Sequence, residues 1–277
     1  MKIFTMVKGE ADIVQDWVLY HGDIFGYNNL YVIDNFSRDG TWDILLNLRS
    51  KYNINITRLP DYKKKGIYMT NLLRIFGNGE IVFPIDIDEF IVYYDKTNNT
   101  ISCDKNLIIQ YINSLRPLPF YKMNYINGNI LIPEGYDRAT VDIKYGKYHD
   151  YKEQAKTFFN SRIFKGVIDH GNHFLSNNYF LTNICLIHFH QRNLVQIKKK
   201  VYNNLKGLGY SPFNLQKLKH LQSYGGSLAG YHHVNKQIKI LENKFNLDID
   251  CEETTDISLI PFNKKIIDLS NLSDLSS

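Results

Sequence analysis

The chain has 277 residues, 44% of them hydrophobic and 14% aromatic, enough to bury the core of one large α/β domain or two small ones, which excludes a disordered or fibrous chain. Its net charge of +5 is unevenly spread: thirteen Lys or Arg face three acids between Lys144 and His220, a stretch suited to an anionic partner. Cys103, Cys185 and Cys251 lack the paired spacing of a zinc knot or a disulfide framework, the first ten residues lack a leader-like apolar core, and no apolar run is long enough to span a bilayer, so the expected location is the cytoplasm, the host's if the chain is viral.

The first hundred residues alternate short apolar runs with amphipathic stretches, the pattern of β-α-β units around a parallel sheet. Ile3 to Val7 reads as a strand. Asp12 to His21 reads as a helix capped by Asp12, with Ile13, Val14, Trp17 and Val18 at helical spacing. A second strand over Leu30 to Ile33 stops at Asp34-Asn35-Phe36-Ser37-Arg38-Asp39-Gly40-Thr41, a run dense in turn formers. A helix over Thr41 to Tyr52, a strand over Ile54 to Arg58, a helix over Tyr68 to Phe76 and a strand over Glu80 to Ile85 follow. The later half reads as strands over Phe120 to Ile132, Thr140 to Lys144, Thr157 to Val167 and Asn178 to His188, then helices over Leu194 to Leu205 and Asn235 to Phe245. From Asp248 the chain is acidic and Ser-rich, with an apolar island at Ile257 to Phe262.

Ligands of open α/β sheets bind beyond the carboxyl ends of the strands, so the segments after Val7, Ile33 and Ile85 are expected at one crevice. The last of these is Asp86-Ile87-Asp88-Glu89-Phe90. Two carboxylates at alternate positions of an extended chain can share a hard cation, and an apolar strand that delivers three acids to a sheet edge is costly without a counter-ion. Asp34 and Asn35 could hydrogen-bond a base in the same pocket, whereas Ser37 and Asp39 read as a local cap. His188 and His190 occupy alternate positions of a strand and share a face. Arg192 and Lys198-Lys199-Lys200 follow at once and could cover a diphosphate. The spacing of His170, His173, His188 and His190 fits no standard zinc motif. Hydrolase elbows, phosphate-binding Gly-rich loops and RNA-binding signatures are missing, so nucleic acid is not expected as a partner.

Taken in order, Lys8-Gly9-Glu10-Ala11-Asp12, Asp16-Trp17-x-x-x-His21, Ile33-Asp34-Asn35-x-Ser37-x-Asp39-Gly40-Thr41, Asp86-Ile87-Asp88-Glu89-Phe90 and Ile187-His188-Phe189 resemble the family-2-like and family-92-like glycosyltransferases of GT-A fold. The resemblance covers about the first two hundred residues. It implies an α/β fold with a mostly parallel central sheet flanked by helices and a smaller mixed acceptor side. One domain over 1–247 is expected, with a nucleotide-binding half to about 115, an acceptor-side half after it and a tail over 248–277. It further implies a nucleotide-sugar donor, UDP-sugars favoured, bound with Mn²⁺ or Mg²⁺, and inverting transfer to a glycan or glycoconjugate hydroxyl. Carried over by position, Val7, Lys8, Glu10, Asp34 and Asn35 would hold the nucleoside end. Asp86, Lys165, His173, Arg192 and Lys198 would contact the rest of the donor, and Asp86, Asp88 and His188 the metal. Two departures stand out: Ile81-Val82 replace an aromatic residue before the acidic strand, and Ser161-Arg162 stand where a Lys-Ser pair opens the later strand.

An inverting enzyme needs a base for the acceptor hydroxyl, and Asp169, then Glu134 and Glu89, are the candidates. The competing readings are a catalytically silent GT-A domain serving as a glycan-binding or scaffold module, and a nucleotidyltransferase. The second would ordinarily carry an N-terminal Gly-rich loop. The apolar island of the tail could also seat on a second copy in an oligomer.

Overall fold

The computed structural model describes residues 1–117, 120–129, 145–150, 155–169, 171–173, 179–192, 194–245 and 254–256. The chain divides into two compact units, Met1–Gly128 with Asp142–His190 and Glu253–Ser277, and Asn129–Val141 with Gln191–Glu252.

In the first unit β1 (Lys2–Val7) and β2 (Leu30–Asp34) are buried along their whole length. Strands covered on both faces are unbroken apolar runs rather than alternating ones, as is usual where helices pack on either side of parallel strands. β2 runs parallel to β1 and to β3 (Asn55–Arg58), and β1 runs parallel to β4 (Ile81–Pro84). The intervening helices are α1 (Val14–Phe25), α2 (Thr41–Tyr52) and α3 (Lys65–Phe76). Beyond β4 the sheet continues through β9 (Lys156–Asn160), β7 (Phe120–Asn129), β10 (Tyr179–Gln191), β5 (Glu89–Asp95) and β6 (Thr100–Ser102), with β4–β9, β9–β7, β10–β5 and β5–β6 antiparallel. Its order is β3-β2-β1-β4-β9-β7-β10-β5-β6, with β8 (Tyr145–His149) on β7 and β11 (Thr254–Asp256) on β8. This is the expected α/β fold. On one face, Phe4, Met6, Ile33 and Val82 of the sheet meet Met69 and Leu73 of α3 and Phe164 and Ile168 of the loop after β9.

Some boundaries differ from the sequence reading, each for a local reason. α1 starts at Val14 rather than Asp12, after a turn over 11–13 in which the Glu10 carbonyl accepts from Ile13 and Val14 N–H at 3.1 and 3.0 Å. Asp12 is therefore not the cap. The helix continues to Phe25 because Tyr20, Ile24 and Phe25 extend its buried stripe, and it ends at Gly26 with φ 90°. The strand expected over Thr157 to Val167 ends at Asn160. Ile163 N–H donates to the Asn160 carbonyl in a turn, and Phe164 folds back to stack on Phe159 at 4.4 Å. The chain also turns at Asp86–Asp88 and leaves in β5, a strand absent from the sequence reading, as were β6, α4 (Lys105–Ser114) and α6 (Leu215–Gln222). Thr140 to Lys144, Ile257 to Phe262, Glu134 and His170 lie outside the described residues.

The Asp16-Trp17-x-x-x-His21 motif is a clamp on β5. Trp17 Nε1 donates to the Glu89 carbonyl at 3.0 Å and the Tyr20 hydroxyl to the Ile91 carbonyl at 2.6 Å, while His21 Nε2 accepts from Ile91 N–H at 3.3 Å. His21 Nδ1 meets the Trp17 carbonyl at 2.9 Å, so its partners fix a neutral ring with the proton on Nδ1. Burial pushes its pKa from 6.5 down to about 3, with the Trp17 carbonyl opposing. Because the unfolded chain takes up this proton first, the His21 contribution is intact above about pH 6.5 and is lost towards pH 3, at about 1.4 kcal/mol per unit. Denaturant titrations at pH 6.5 and 4.5 are expected to differ by roughly 2 kcal/mol more in the native chain than in His21→Gln.

The second unit holds α5 (Leu194–Gly207), α6 and α7 (Tyr231–Leu241). Ile197, Val201 and Leu205 of α5 pack with Leu218 of α6 and Val234 and Ile238 of α7. Of the three consecutive lysines of α5, Lys198 is exposed and Lys199 and Lys200 are half-buried.

Candidate active site

Parallel pairing puts the carboxyl ends of β1, β2 and β4 on one edge, and side-chain hydrogen bonds tie the loops there together. Gly9 N–H donates to Ser37 Oγ at 2.8 Å, Glu10 N–H to Thr41 Oγ1 at 3.0 Å and Ala11 N–H to Asp39 Oδ2 at 3.3 Å. Ser37 and Asp39 are thus more than a local cap: they hold the Lys8–Ala11 loop across 28 residues of sequence. Asn35 is nearly buried and bonds the Leu59 carbonyl. Asp34 is fully buried, accepts from Ser37 N–H, and pairs with Arg58 Nε at 2.7 Å. The Arg58 guanidinium lies over Phe36 and Trp42, 5.0 and 4.7 Å from their ring centres. Phe36 has φ 53°, and half of its surface is exposed at this edge. A bulky residue in the left-handed region is strained and points to a functional constraint. Val7 is buried in the strand, Lys8 is exposed and Glu10 is half-buried beside them.

The acidic turn is organised by two lysines that the sequence reading missed. Lys156 Nζ sits 2.7 Å from Asp86 Oδ2 and 3.2 Å from Glu89 Oε2, and Lys65 Nζ bonds Asp86 Oδ1. β9 runs antiparallel to β4 with Phe159 opposite Val82, so Lys156, three residues earlier, lies level with the residues that follow Pro84. Lys65 arrives from the first turn of α3, and both lysine side chains are at most 4% exposed. Burial alone would raise the Asp86 carboxyl, but Lys156 and Lys65 hold it well below the carboxylate range. Glu89 is raised by burial, and Lys156 opposes that shift. At 1% exposure, and accepting from Asp86 N–H at 2.7 Å, Glu89 lies in the wall of the site rather than at its open face. β9 opens on Lys156-Thr157, and Ser161-Arg162 lie in the turn that follows it.

β10 supplies the histidines. His188 is in register with Glu89, and Phe189 N–H donates to the Asp88 carbonyl at 2.8 Å. Alternation along the strand then sends His188 and His190 to one face, their rings 5.0 Å apart. Ligand atoms of Asp88, His188 and His190 all lie within 4.8 Å of one another, and His188 Nε2 is 3.6 Å from Asp88 Oδ2. Asp88 is 3% exposed. The group that could hold a metal therefore includes His190, while Asp86 is engaged by lysines.

The loop after β9 packs beside this centre. Asn172 Nδ2 bonds the Pro84 carbonyl, and also the Thr157 carbonyl at 3.0 Å, while Ile168 N–H donates to Thr70 Oγ1 at 2.9 Å. A side chain on Gly66, next to Lys65, would collide with the Ile168 carbonyl oxygen. Gly66→Ala is expected to cost about 1–3 kcal/mol in thermal unfolding and to displace this loop, detected as faster proteolysis between Phe164 and His173. Asp169 is exposed there, its Oδ1 accepting from Gly171 and His173 N–H at 2.8 and 3.1 Å. Lys165 is exposed and His173 half-buried. In the second unit, Arg192 is buried, with its N–H near Gln196 Oε1 at 3.4 Å, and Lys198 is exposed on α5.

These features define an α/β domain with an acid, lysine and histidine centre at the carboxyl edge of its parallel strands. No family model matches the chain. It is 32% identical over 93 residues to a glycosyltransferase family 92 protein of Oryza sativa subsp. japonica, a match that spans 33% of this chain and 16% of that protein. Among solved structures it is similar to residues 1-349 of S. aureus TarS, with TM-score 0.45 and 10% identity over 88% of this chain and 71% of that one. The same fragment in complex with UDP gives TM-score 0.41 and 13% identity over 95% and 97% of the two chains. No helix of the described residues is long and apolar enough to cross a membrane.

Proposed function

We propose that the chain is a metal-dependent glycosyltransferase. It would transfer a sugar from a nucleotide-diphosphate donor, a UDP-sugar first among them, to a hydroxyl of a glycan or other acceptor, with inversion. The observation that carries this reading is the convergence of Asp88, His188 and His190 within 4.8 Å, beside an Asp86 carboxylate gripped by two buried lysines. One carboxylate oxygen and two imidazole nitrogens fit a divalent ion, and they suit Mn²⁺ better than the oxygen-seeking Mg²⁺. The bound ion would offset the charge that develops on the departing diphosphate. On this reading, half-saturation of donor binding should need at least about tenfold less Mn²⁺ than Mg²⁺, measured by calorimetry with UDP.

The chain's own residues supply the rest. Lys65 and Lys156 keep Asp86 ionised and hold the acidic turn in place beside the proposed donor site. Asp34, buried and held by Arg58 and Ser37 N–H, fixes the loop that carries Phe36, whose exposed ring offers a stacking face to the base. Asp169, on the loop packed against Gly66, is the first assignment for the base that takes the acceptor proton. Asp169→Asn is expected to lower kcat by about 10²–10⁴-fold with donor KM unchanged.

The test is nucleoside diphosphate release from UDP-, GDP-, CDP- and dTDP-sugars with Mn²⁺, followed by mass spectrometry, on the native chain and on Asp88→Ala. Release from one donor that needs metal and Asp88 supports the proposal. No release from any donor, together with no nucleotide binding, favours the silent scaffold instead.

A further inference from the structure

The second unit carries a surface groove of its own, with a volume of about 690 Å³, between the end of α5 and the start of α6. Sites for small ligands span roughly 300–1,000 Å³. Tyr202, Lys206, Tyr210, Phe213, Asn214 and Gln216 line much of it. Phe213 is 68% exposed, the highest value among the exposed large hydrophobic side chains of the described residues. Its ring sits 5.4 Å from that of Tyr202, tilted by 37°, and Lys206 Nζ lies 5.6 Å from the centre of the same Tyr202 ring.

The local backbone is built to present these rings rather than to bury them. Tyr210 N–H and hydroxyl are bound to the Leu205 and Ala229 carbonyls at 2.9 and 3.1 Å, and Gln237 Nε2 holds the Pro212 carbonyl at 2.8 Å. Asn214 caps α6 through Lys217 N–H at 2.9 Å. The turn is thereby fixed from both sides while Phe213 faces water. A rigid, wet aromatic edge interleaved with hydroxyl, amide and ammonium groups is poorly matched to a purely apolar partner. It is well matched to a ligand that has apolar C–H faces and a hydroxyl rim. We infer that this groove binds an oligosaccharide of about two to four sugars, stacked on Phe213 and Tyr202 and hydrogen-bonded by Ser211, Gln216 and Lys206. The site lies wholly in the second unit and goes beyond the donor centre of the first.

The test is an array of neutral, phosphorylated and uronic-acid-bearing oligosaccharides of three or more sugars, probed with the full chain, Phe213→Ala, Gln216→Ala and Asp88→Ala. Phe213 and Gln216 are surface residues, so their variants should keep the native melting temperature. The expected result is a set of glycans whose binding falls at least tenfold in Phe213→Ala, falls measurably in Gln216→Ala and persists in Asp88→Ala. Absence of glycan binding, binding that survives Phe213→Ala, or binding lost only in Asp88→Ala would each overturn the inference. A native dimer that becomes monomeric in Phe213→Ala and binds no glycan would assign the groove to a second copy. Because Asp88→Ala keeps this site and abolishes donor binding, failure here is separable from failure of the proposed transferase.

Discussion

Lys156→Met is expected to destabilise the chain by about 3–5 kcal/mol in denaturant unfolding at neutral pH, one of the two largest effects anticipated from single substitutions. The ammonium is 2% exposed and lies within 3.2 Å of two carboxylates, one of them on a side chain only 1% exposed. Removing it leaves Asp86 and Glu89 to share the charge of Lys65 alone, and an uncompensated buried charge costs more than the pair itself contributes. Adding Glu89→Gln should recover part of the loss, with a coupling of at least about 1 kcal/mol in the double-mutant cycle. If Lys156→Met unfolds within about 0.5 kcal/mol of the native chain, the buried ion cluster does not exist in solution.

Asp88→Ala has the opposite profile. Asp88 raises the proton affinity of both Asp86 and Glu89, the mark of like charges held close together. Its removal relieves that repulsion and also gives up the 3.6 Å contact with His188, so the variant should unfold within about 1 kcal/mol of the native chain. Function should collapse instead. One of three ligands is lost from a centre whose atoms lie within 4.8 Å, and Mn²⁺ affinity and turnover are each expected to fall by about 100-fold or more. Stability retained with activity lost marks a residue selected for chemistry.

What the sequence made legible follows from where burial is two-sided. β1, β2 and β4 are short, mostly apolar runs buried on both faces, and α2 is bounded by a turn cluster and Asn53 in the left-handed region; all match the expected bounds within a residue or two. The acidic turn was legible for the same reason, since β4 points straight at it. The lysines were not, because Lys65 ends the Lys63-Lys64-Lys65 run and Lys156 sits in a basic stretch that reads as solvated surface. The recoverable signal was Lys156 heading Lys-Thr-Phe-Phe-Asn, a charge at the mouth of an apolar strand. β5 was missed because Glu89-Phe90-Ile91-Val92 continues the apolar character of β4 with only the acidic turn between them. His190 was recognised as sharing a face with His188, but its meeting with Asp88 depends on the β10–β5 register, which one sequence does not state.

The central claim is that a nucleoside diphosphate binds through a metal held by Asp88. The most direct test is a thermal-shift panel of UDP, GDP, CDP and dTDP, each with Mn²⁺, Mg²⁺ or EDTA, on the native chain and Asp88→Ala. A ligand at a hundred times its Kd stabilises by about 2.7 kcal/mol, well above detection. The expected result is a shift with one diphosphate that is larger with Mn²⁺ than with Mg²⁺, vanishes in EDTA and is absent in Asp88→Ala. A shift that is equal in EDTA, or preserved in the variant, would contradict it.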